Sequence, residues 1–421
     1  MRVLYDLGLV ASSFWRAGSR TGVFRVNEEL ALALARRADF DLRFTASSSL
    51  GGLVDYLQAH QNLPADLLHS ALAVALSRRI EPLRPMVMDT LKNRSFIHRA
   101  GRRLISLALK YLEPRIARIS ASQLRGIDLF HSPGFNLPPQ MAADRRIQKA
   151  VNIYDMIAIH SPDLFDAGIV RRMKGRVREC CRDDTWVLAI SQATKDEFCE
   201  YTKVSPSRVF VTPLAAGDCF FPERDPAVIA AARGKHGIPE GPYLLSVCTL
   251  EPRKNLHTVI KAFAELIRAE KIPDLNLVLV GNVGWKYEAI FAEFESYPEL
   301  KDRIVFPGYV PDEALRAIYS DAIAFVYMSV YEGFGLPPLE AMQCGVPVIT
   351  SNVSSLPEVV GDAGIMLPPR DVPAISDAML RLYANGDLRR TLAEAGLARA
   401  KSFSWDRCAA DTVHAYREML E

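Results

Sequence analysis

Short apolar runs alternate with segments of helical periodicity in the second half of the chain. The runs have the length of strands buried on both faces, and they lie at residues 243–247, 275–281, 303–306, 322–327 and 346–350. Between the first two, residues 256–270 repeat apolar side chains at helical spacing. Strands that alternate with helices in this way predict a parallel sheet covered by helices on both faces. Ligands of such sheets bind at the carboxyl ends of the strands.

The first half shows the same alternation, but a basic and helical stretch over 50–125 interrupts it. A strand is predicted at 3–9 and a helix at 22–37, with a long loop between them. Further strands are predicted at residues 129–131, 149–154, 186–191 and 209–213. Glycine and proline collect between 215 and 242, where a domain boundary is expected. We therefore predict a first domain at 1–218 and a second at 219–404.

Length and composition limit the class of protein. A chain of 421 residues is expected to form two domains. It is 49% hydrophobic and 24% charged with a net charge of +2, which is typical of a globular protein and does not favour nucleic-acid binding. The seven cysteines are scattered, which predicts unpaired thiols in a reducing compartment. The sequence starts without a signal-peptide pattern and has no apolar run near the ~20 residues of a membrane span, so we expect a cytoplasmic protein.

Two glutamates eight positions apart frame a glycine-rich loop that follows a predicted strand. Glu332 precedes Gly333 and Gly335, and Glu340 is expected to start a helix. Glycines let backbone amides approach a ligand, and a helix N-terminus favours phosphate. Carboxylates accept hydrogen bonds from vicinal sugar hydroxyls. A simple turn followed by a helix-start charge is the alternative, and the position at a strand end favours a site.

This spacing resembles that of the retaining glycosyltransferases of family 4. The resemblance covers nearly all of 241–370 and is weaker in the first half; its segments are residues 246–256, 280–285, 306–312, 332–340, 341–349 and 354–358. It implies an α/β protein with the GT-B fold, in which two Rossmann-like domains face each other across a cleft. The nucleotide-sugar would bind the second domain and the acceptor would enter from the first. It also implies that a final helix at 405–421 packs back on the first domain.

The resemblance implies roles for single residues of the second domain. Glu340 is similar to the glutamate that binds the nucleotide ribose, and Glu332 to the one beside the transferred sugar. Lys254 is similar to the lysine that holds the donor diphosphate. Many relatives have an arginine where this chain has Thr249, so we expect Arg253 to supply the second cation. Without the resemblance, Arg253 and Lys254 are a solvated pair of surface charges.

Other donor contacts are implied in three loops. Gly308, Tyr309 and Val310 are expected to frame the base. The loop between the two glutamates is expected to contact the donor, and its residues are Gly333, Phe334, Gly335 and Leu336. Gly22 resembles the N-terminal glycine loop that opens a helix toward the donor phosphates. A threonine and glycine pair on its own indicates no more than a helix cap.

The acceptor side departs from the family pattern. Many relatives have a histidine–aspartate pair near the reacting sugar, and the corresponding residues here are Tyr154 and Asp155. A catalytic histidine is therefore not expected at this position. His131 and His160 lie nearby in sequence, and a lone histidine is more often structural than catalytic.

The expected reaction moves a hexose or deoxyhexose from a nucleoside-diphosphate sugar to a hydroxyl of a glycan or lipid-linked acceptor. Residues 251–255 resemble those of bacterial surface-polysaccharide mannosyl- and rhamnosyltransferases, so GDP-mannose ranks first. No metal and no cofactor are expected, because cations take the place of a metal in this family. A sugar-nucleotide epimerase or hydrolase of the same fold is one alternative. A non-catalytic glycosyltransferase-like subunit is another, although it would be expected to lose Glu332 or Lys254.

Residues 92–125 carry nine basic side chains and one acidic one, interleaved with leucines. Such a stretch is typical of a basic amphipathic helix on the inner, anionic face of a membrane. A helix with a solvated basic face explains the same pattern.

Overall fold

The computed structural model describes residues 1–13, 22–46, 49–60, 63, 69–80, 111–112, 115–134 and 137–421, and the fold is given for these. Most of the basic stretch at 92–125 lies outside the described residues, so the predicted membrane contact stays a prediction. No helix of the described part is long and apolar enough to cross a membrane.

The first domain is built on a parallel six-stranded sheet with the strand order β2-β1-β3-β4-β5-β6. Its strands are β1 (Arg2–Asp6), β2 (Asp41–Thr45), β3 (Leu129–Ser132), β4 (Gln148–Ile153), β5 (Thr185–Ala189) and β6 (Val209–Val211). Its described helices are α1 (Gly8–Ser13), α2 (Gly22–Ala35), α3 (Leu50–Ala59), α4 (Ala71–Ile80), α5 (Pro139–Ala143), α6 (Ile157–His160), α7 (Ala167–Cys180) and α8 (Gln192–Thr202).

The second domain repeats this architecture with the strand order β12-β11-β10-β7-β8-β9, again parallel. Its strands are β7 (Tyr243–Val247), β8 (Asn276–Val280), β9 (Ile304–Gly308), β10 (Ala324–Tyr327), β11 (Val348–Ser351) and β12 (Gly364–Leu367). The helices from here to the end of the chain are α9 (Pro226–His236), α10 (Leu256–Glu270), α11 (Glu288–Glu295), α12 (Asp312–Ser320), α13 (Leu336–Gln343), α14 (Leu356–Val360), α15 (Val372–Ala384), α16 (Gly386–Ala400) and α17 (Trp405–Glu418).

The central strands of the second sheet explain why the apolar pattern is continuous there. Every residue of β8 and β10 is buried, because helices cover both faces of the sheet. The helix α10 buries its apolar stripe against the sheet and packs on α15. All seven cysteines are free thiols, as expected from their spacing.

One strand boundary and one helix boundary differ from the sequence prediction. The strand predicted at 3–9 ends at Asp6, and α1 begins two residues later at Gly8. The carboxylate of Asp6 accepts a hydrogen bond of 2.8 Å from the backbone amide of Gly8. The helix predicted to start at Glu340 begins at Leu336 instead. Two prolines follow Leu336 in the sequence, and they fit a first turn because its N–H groups have no helical partner. Glu340 therefore lies inside α13 and not at its start.

The final helix α17 lies against α2 of the first domain. Exposed ion pairs join Arg36 to Asp406 at 2.8 Å and Arg417 to Asp39 at 2.6 Å. The chain crosses from the first sheet to the second between β6 and α9, and α9 packs on α12 of the second domain.

Candidate active site

The candidate site lies at the carboxyl ends of β7 and β10, which are neighbours in the second sheet. After β7 the chain forms a 3₁₀ turn at Pro252–Lys254, which ends at Asn255 with φ near +57°. Asparagine tolerates this left-handed conformation, and its side-chain amide donates to the carbonyls of Met328 (3.0 Å) and Pro369 (2.6 Å). The turn is thereby held against the loop after β10, with Lys254 pointing into the site.

Both predicted cations bind the same carboxylate. The ammonium of Lys254 lies 2.5 Å from Oε1 of Glu332, and the guanidinium of Arg253 lies 2.6 Å from Oε2. The buried hydroxyl of Tyr327 accepts from Lys254 at 2.6 Å and donates to Glu332 at 2.8 Å. The guanidinium of Arg253 also forms an ion pair with the carboxylate of Glu251, with Nη2 and Oε1 2.6 Å apart. The structure thus brings together the three residues that the sequence suggested for catalysis.

The electrostatics of this cluster favour an ionised glutamate. Burial on its own raises the pKa of Glu332, but the charges of Lys254 and Arg253 overcome it and bring the pKa down to about 2. Burial opposes the charge of Arg253, yet Glu332 and its neighbours raise its pKa above the usual value. The cluster is therefore a fixed set of charges at neutral pH.

Serine side chains shape the loop that carries Glu332. The backbone amide of Glu332 donates to the hydroxyl of Ser354 at 2.9 Å. The fully buried Ser355 donates to the carbonyls of Glu332 (2.9 Å) and Phe334 (2.5 Å). Phe334 is buried and packs edge-on against Phe403, with ring centroids 5.8 Å apart. The sequence analysis gave these serines no role, although they lie in a segment that carries the resemblance.

Gly333 brings the first domain into contact with this loop. A Cβ at this position would lie 1.8 Å from the carbonyl oxygen of Tyr154 and 3.1 Å from Cβ of Asp155, so only glycine fits. Ser191 of the first domain donates to the carbonyl of Gly333 at 2.8 Å. The two domains therefore touch at the residue that follows Glu332.

The two acceptor-side candidates differ in what they contact. Asp155 lies beside Gly333. Burial is the main reason that its pKa is raised, and the hydrogen bond from the amide of Ile157 and the charges of Arg253 and Lys254 oppose that rise. The hydroxyl of Tyr154 is occupied inside the first domain, where it donates to the carbonyl of Pro133 at 2.8 Å and accepts from Asn27 at 2.9 Å. The structure brings the carboxylate of Asp155 near the cluster, but not the hydroxyl of Tyr154.

Neither His131 nor His160 makes a hydrogen bond or ion pair with Glu332, Lys254 or Arg253 among the described contacts. His131 is fully buried, and its ring nitrogens lie 2.5 Å from the hydroxyl of Tyr416 and 2.5 Å from the side-chain oxygen of Asn152. Burial lowers its pKa to about 4, so the ring is neutral at pH 7. His160 lies 3.7 Å from the carboxylate of Glu197. His131 thus has a structural position that ties α17 to the first sheet.

Glu340 is buried and has two partners. Its Oε1 accepts from the guanidinium of Arg25 in the first domain at 2.9 Å, and its Oε2 accepts from the hydroxyl of Tyr319 at 3.2 Å. Arg25 also binds Asp312 of the second domain at 2.7 Å. Arg25 lies in the segment that resembles the N-terminal glycine loop, but the sequence gave it no role, because its partners lie far away along the chain.

The remaining donor candidates lie on loops around the cleft. Gly308 has φ near +75° at the end of β9, Tyr309 beside it is 60% exposed, and Val310 is buried. Thr249 is exposed after β7. Two further candidates lie at helix starts, Gly22 at the first residue of α2 and Leu336 at the first residue of α13.

A second contact between the domains lies at the start of α8. The carboxylate of Glu358 accepts hydrogen bonds of 2.7 Å from the backbone amides of Gln192 and Ala193. These amides have no partner within their own helix, so the carboxylate of Glu358 adds to the cap that Ser191 provides for the amide of Thr194. Within the described ranges, no group of three or more histidine, cysteine, aspartate or glutamate side chains is arranged to hold a metal ion.

Comparisons with known proteins show which family this chain belongs to. Residues 228–399 match the family model described as glycosyl transferases group 1. The O-antigen chain mannosyltransferase B of Escherichia coli is 37% identical over 290 residues, which cover 69% of this chain and 74% of that protein. The chain belongs to the group 1 glycosyltransferases. The predicted resemblance is thereby confirmed, and the protein is a glycosyltransferase.

Other similar proteins support the same fold for this glycosyltransferase. The serotype-specific mannosyltransferase WbdA of Escherichia coli is 31% identical over 311 residues, which cover 73% of this chain but only 38% of that longer protein. The crystal structure of Anabaena HepE in complex with UDP-glucose aligns over 99% of both chains with a TM-score of 0.64 and 16% identity. The predicted GT-B fold of two Rossmann-like domains is confirmed.

The family model covers only part of this glycosyltransferase. Glu332, Glu340, Arg253 and Lys254 fall within the matched residues 228–399. Asp155 and the other first-domain partners lie outside that range. Sequence reasoning found the residues of the motif-rich second domain and Asp155 of the first domain, but it gave Arg25 no role.

Proposed function

We propose that this glycosyltransferase transfers mannose from GDP-mannose to a hydroxyl of a glycan or lipid-linked acceptor in surface-polysaccharide synthesis, with retention of the anomeric configuration. The donor sugar and the pathway are inferred from relatives whose names are O-antigen and serotype-specific mannosyltransferases. The similarity of residues 251–255 to bacterial mannosyl- and rhamnosyltransferases points the same way.

One observation carries the proposal: the ionised Glu332 is held between Lys254 and Arg253, and Asp155 of the first domain lies beside the adjoining Gly333. An ammonium has three N–H donors and a guanidinium has five. Among the described residues, Lys254 uses two of its donors and Arg253 uses four. One N–H on each cation is therefore left to bind a diphosphate oxygen.

These remaining donors suit the departure of a nucleoside diphosphate. As the bond between C1 of the sugar and the diphosphate oxygen breaks, negative charge grows on that oxygen. Fixed cations stabilise this charge more strongly in the transition state than in the ground state. Their own positions are set by Glu332, Glu251 and Tyr327, so little reorganisation is needed.

The same contacts favour retention by attack on the front face. Both oxygens of Glu332 are bound to cations, which makes this carboxylate a poor nucleophile for a covalent intermediate. The acceptor hydroxyl would instead attack C1 from the side that the diphosphate leaves, and its proton would pass to the departing phosphate oxygen. Asp155 lies on the first-domain side, where it can orient the acceptor hydroxyl.

A panel of donors tests the proposal. The protein is incubated with GDP-mannose, GDP-fucose, UDP-glucose and dTDP-rhamnose, and release of the nucleoside diphosphate is followed with and without a mannoside acceptor. We expect the fastest release from GDP-mannose and, by NMR, a product with the anomeric configuration of the donor. Faster turnover of another donor overturns the choice of GDP-mannose, and an inverted product overturns retention. Consumption of no donor contradicts the proposed function as a whole.

A further inference from the structure

A single arginine of the first domain binds two carboxylates of the second. Arg25 extends from α2, and its Nη1 lies 2.9 Å from Oε1 of Glu340. Its Nη2 donates to both carboxylate oxygens of Asp312, at 2.7 and 2.9 Å. Asp312 is the first residue of α12, which follows the loop expected to frame the base. Arg25 therefore joins the start of the first domain to two parts of the expected nucleotide surface.

Arg25 offsets the cost of burying the carboxylate of Glu340. Glu340 is only 8% exposed at its side chain, and burial is the main reason that its pKa is raised. Asp312 raises it further, whereas Arg25 opposes both effects. A buried carboxylate beside a second acid becomes protonated more readily when its cation is removed, and it then has less capacity to accept hydrogen bonds.

The contacts of Glu340 leave capacity for a diol. Each carboxylate oxygen has two lone-pair sites. Arg25 occupies one site on Oε1 and the hydroxyl of Tyr319 occupies one on Oε2. One site on each oxygen is left among the described contacts, which matches the two vicinal hydroxyls of a ribose.

The segment that connects the domains lies against the same cluster. Phe220 of that segment is buried and packs edge-on against Tyr319, with ring centroids 5.8 Å apart. The guanidinium carbon of Arg25 lies 5.8 Å from the centroid of the Phe220 ring. A change in the angle between the domains would therefore displace the partners of Glu340.

We propose that Arg25 is a positioning residue for the donor nucleotide: docked against the second domain, it orients Glu340 so that both ribose hydroxyls can bind. The ribose subsite is then complete only when the first domain is in contact with the second. This inference rests on the proposed function, in which Glu340 binds the ribose of a nucleoside diphosphate.

Calorimetric titration with GDP, and with UDP as a second probe, tests the inference on the full chain. Arg25→Ala should weaken GDP binding by about 10- to 100-fold, the scale of a lost hydrogen bond to a charged group. Arg25→Lys keeps the charge but lacks the planar guanidinium that spans two carboxylates, so its affinity for GDP should lie between those of the wild type and Arg25→Ala. Arg36→Ala removes an exposed ion pair just beyond the same helix and serves as the matched control with unchanged affinity.

A double-mutant cycle separates positioning from general damage to the fold. If Arg25 acts through Glu340, Arg25→Ala should weaken GDP binding much less in a Glu340→Gln background than in the wild type. Asp312→Asn weakens the anchor of Arg25 but also removes a charge that raises the pKa of Glu340, so it should reduce affinity in the same direction by a smaller factor. Thermal unfolding of each variant identifies any loss of folding, and Asp312→Asn carries the test if Arg25→Ala does not fold.

The outcomes that contradict the inference are distinct from failure of the proposed function. Unchanged GDP affinity in Arg25→Ala would show that the arginine does not affect nucleotide binding. Tighter binding would show that it competes with the ribose for Glu340. Either result overturns this inference but leaves the proposed function standing. Equal effects of Arg25→Ala in the wild-type and Glu340→Gln backgrounds also overturn it. A wild-type protein that binds neither GDP nor UDP contradicts the proposed function and this inference together.

Discussion

The ammonium nitrogen of Lys254 lies 2.5 Å from Oε1 of Glu332, and the hydroxyl of Tyr327 contacts both partners. The pair is buried. Arg253 and its partner Glu251 join it, so that two cations and two carboxylates balance each other's charge. Removing one member of a buried ion pair usually costs about 3–5 kcal/mol. Here Glu332 keeps a second cation after either is lost, so single variants of the cations are expected to fold.

Acid should destabilise the protein through His131. Its folded pKa of about 4 lies below the ordinary value of 6.5, so between these values the unfolded chain binds more protons than the folded one. The free energy of unfolding should therefore decrease as pH falls from about 6.5 toward 4, by up to about 3 kcal/mol from this group. His69, whose pKa is also lowered to about 4 by burial, contributes in the same direction. Urea unfolding at pH 7.5 and pH 5 measures the combined loss.

His131→Gln isolates the part that belongs to His131. The variant should lose less stability between pH 7.5 and pH 5 than the wild type, because glutamine does not take up a proton. His414→Gln, on the exposed side of the same final helix, is the matched control and should keep the wild-type pH dependence. An identical pH dependence in His131→Gln and the wild type would argue against the neutral buried histidine.

Glu358 should stabilise the contact between the domains. Glu358→Ala leaves the amides of Gln192 and Ala193 without their charged acceptor at the start of α8. Loss of a helix cap costs roughly 0.5–2 kcal/mol, so the melting temperature of the full chain should fall by about 1–8 °C. Glu394→Ala removes an exposed glutamate of α16 and is the control. Equal melting temperatures for the two variants would show that the contact adds no stability.

The sequence predicted most of the second domain because its signals are local. The strand that precedes Glu332 is apolar, and the helix at 256–270 has a clear amphipathic period, so the helix was found with its observed bounds and the strand predicted at 322–327 is observed at Ala324–Tyr327. The sequence analysis missed two edge strands, β2 at Asp41–Thr45 and β12 at Gly364–Leu367. β2 alternates polar residues with Leu42 and Phe44 and so is not a continuous apolar run, whereas β12 is apolar but short and only half-buried. An alternating period at 41–45 was the signal that could have identified β2.

The residues of the candidate site also differ in how well the local sequence predicts them. Lys254 and Glu332 belong to motifs that can be recognised from neighbouring residues, and the structure brings them into contact. Arg25 and Asp155 come from the other domain, where the chain carries no strong motif. Their relation to the cluster depends on how two sheets pack, which local periodicity does not contain. Tyr154 was found from its position in a motif, but that position did not predict that its hydroxyl would bind inside the first domain.

Turnover is expected to continue in excess EDTA. Lys254 and Arg253 already supply two fixed positive charges where a divalent ion would otherwise stabilise the leaving diphosphate. Initial rates of GDP release from GDP-mannose, measured with and without EDTA, should agree within about twofold, far less than the effect of removing a catalytic charge. Complete loss of activity in EDTA, followed by recovery with manganese, would contradict this expectation.

The most direct test of the account is the rate of GDP release from GDP-mannose by Lys254→Ala and Arg253→Ala. Each variant should turn over about two to three orders of magnitude more slowly than the wild type, the scale of one lost transition-state charge stabiliser. Lys261→Ala, which removes an exposed lysine of α10, is the matched control and should keep the wild-type rate. Near-normal turnover by both Lys254→Ala and Arg253→Ala would contradict the central role of this cluster.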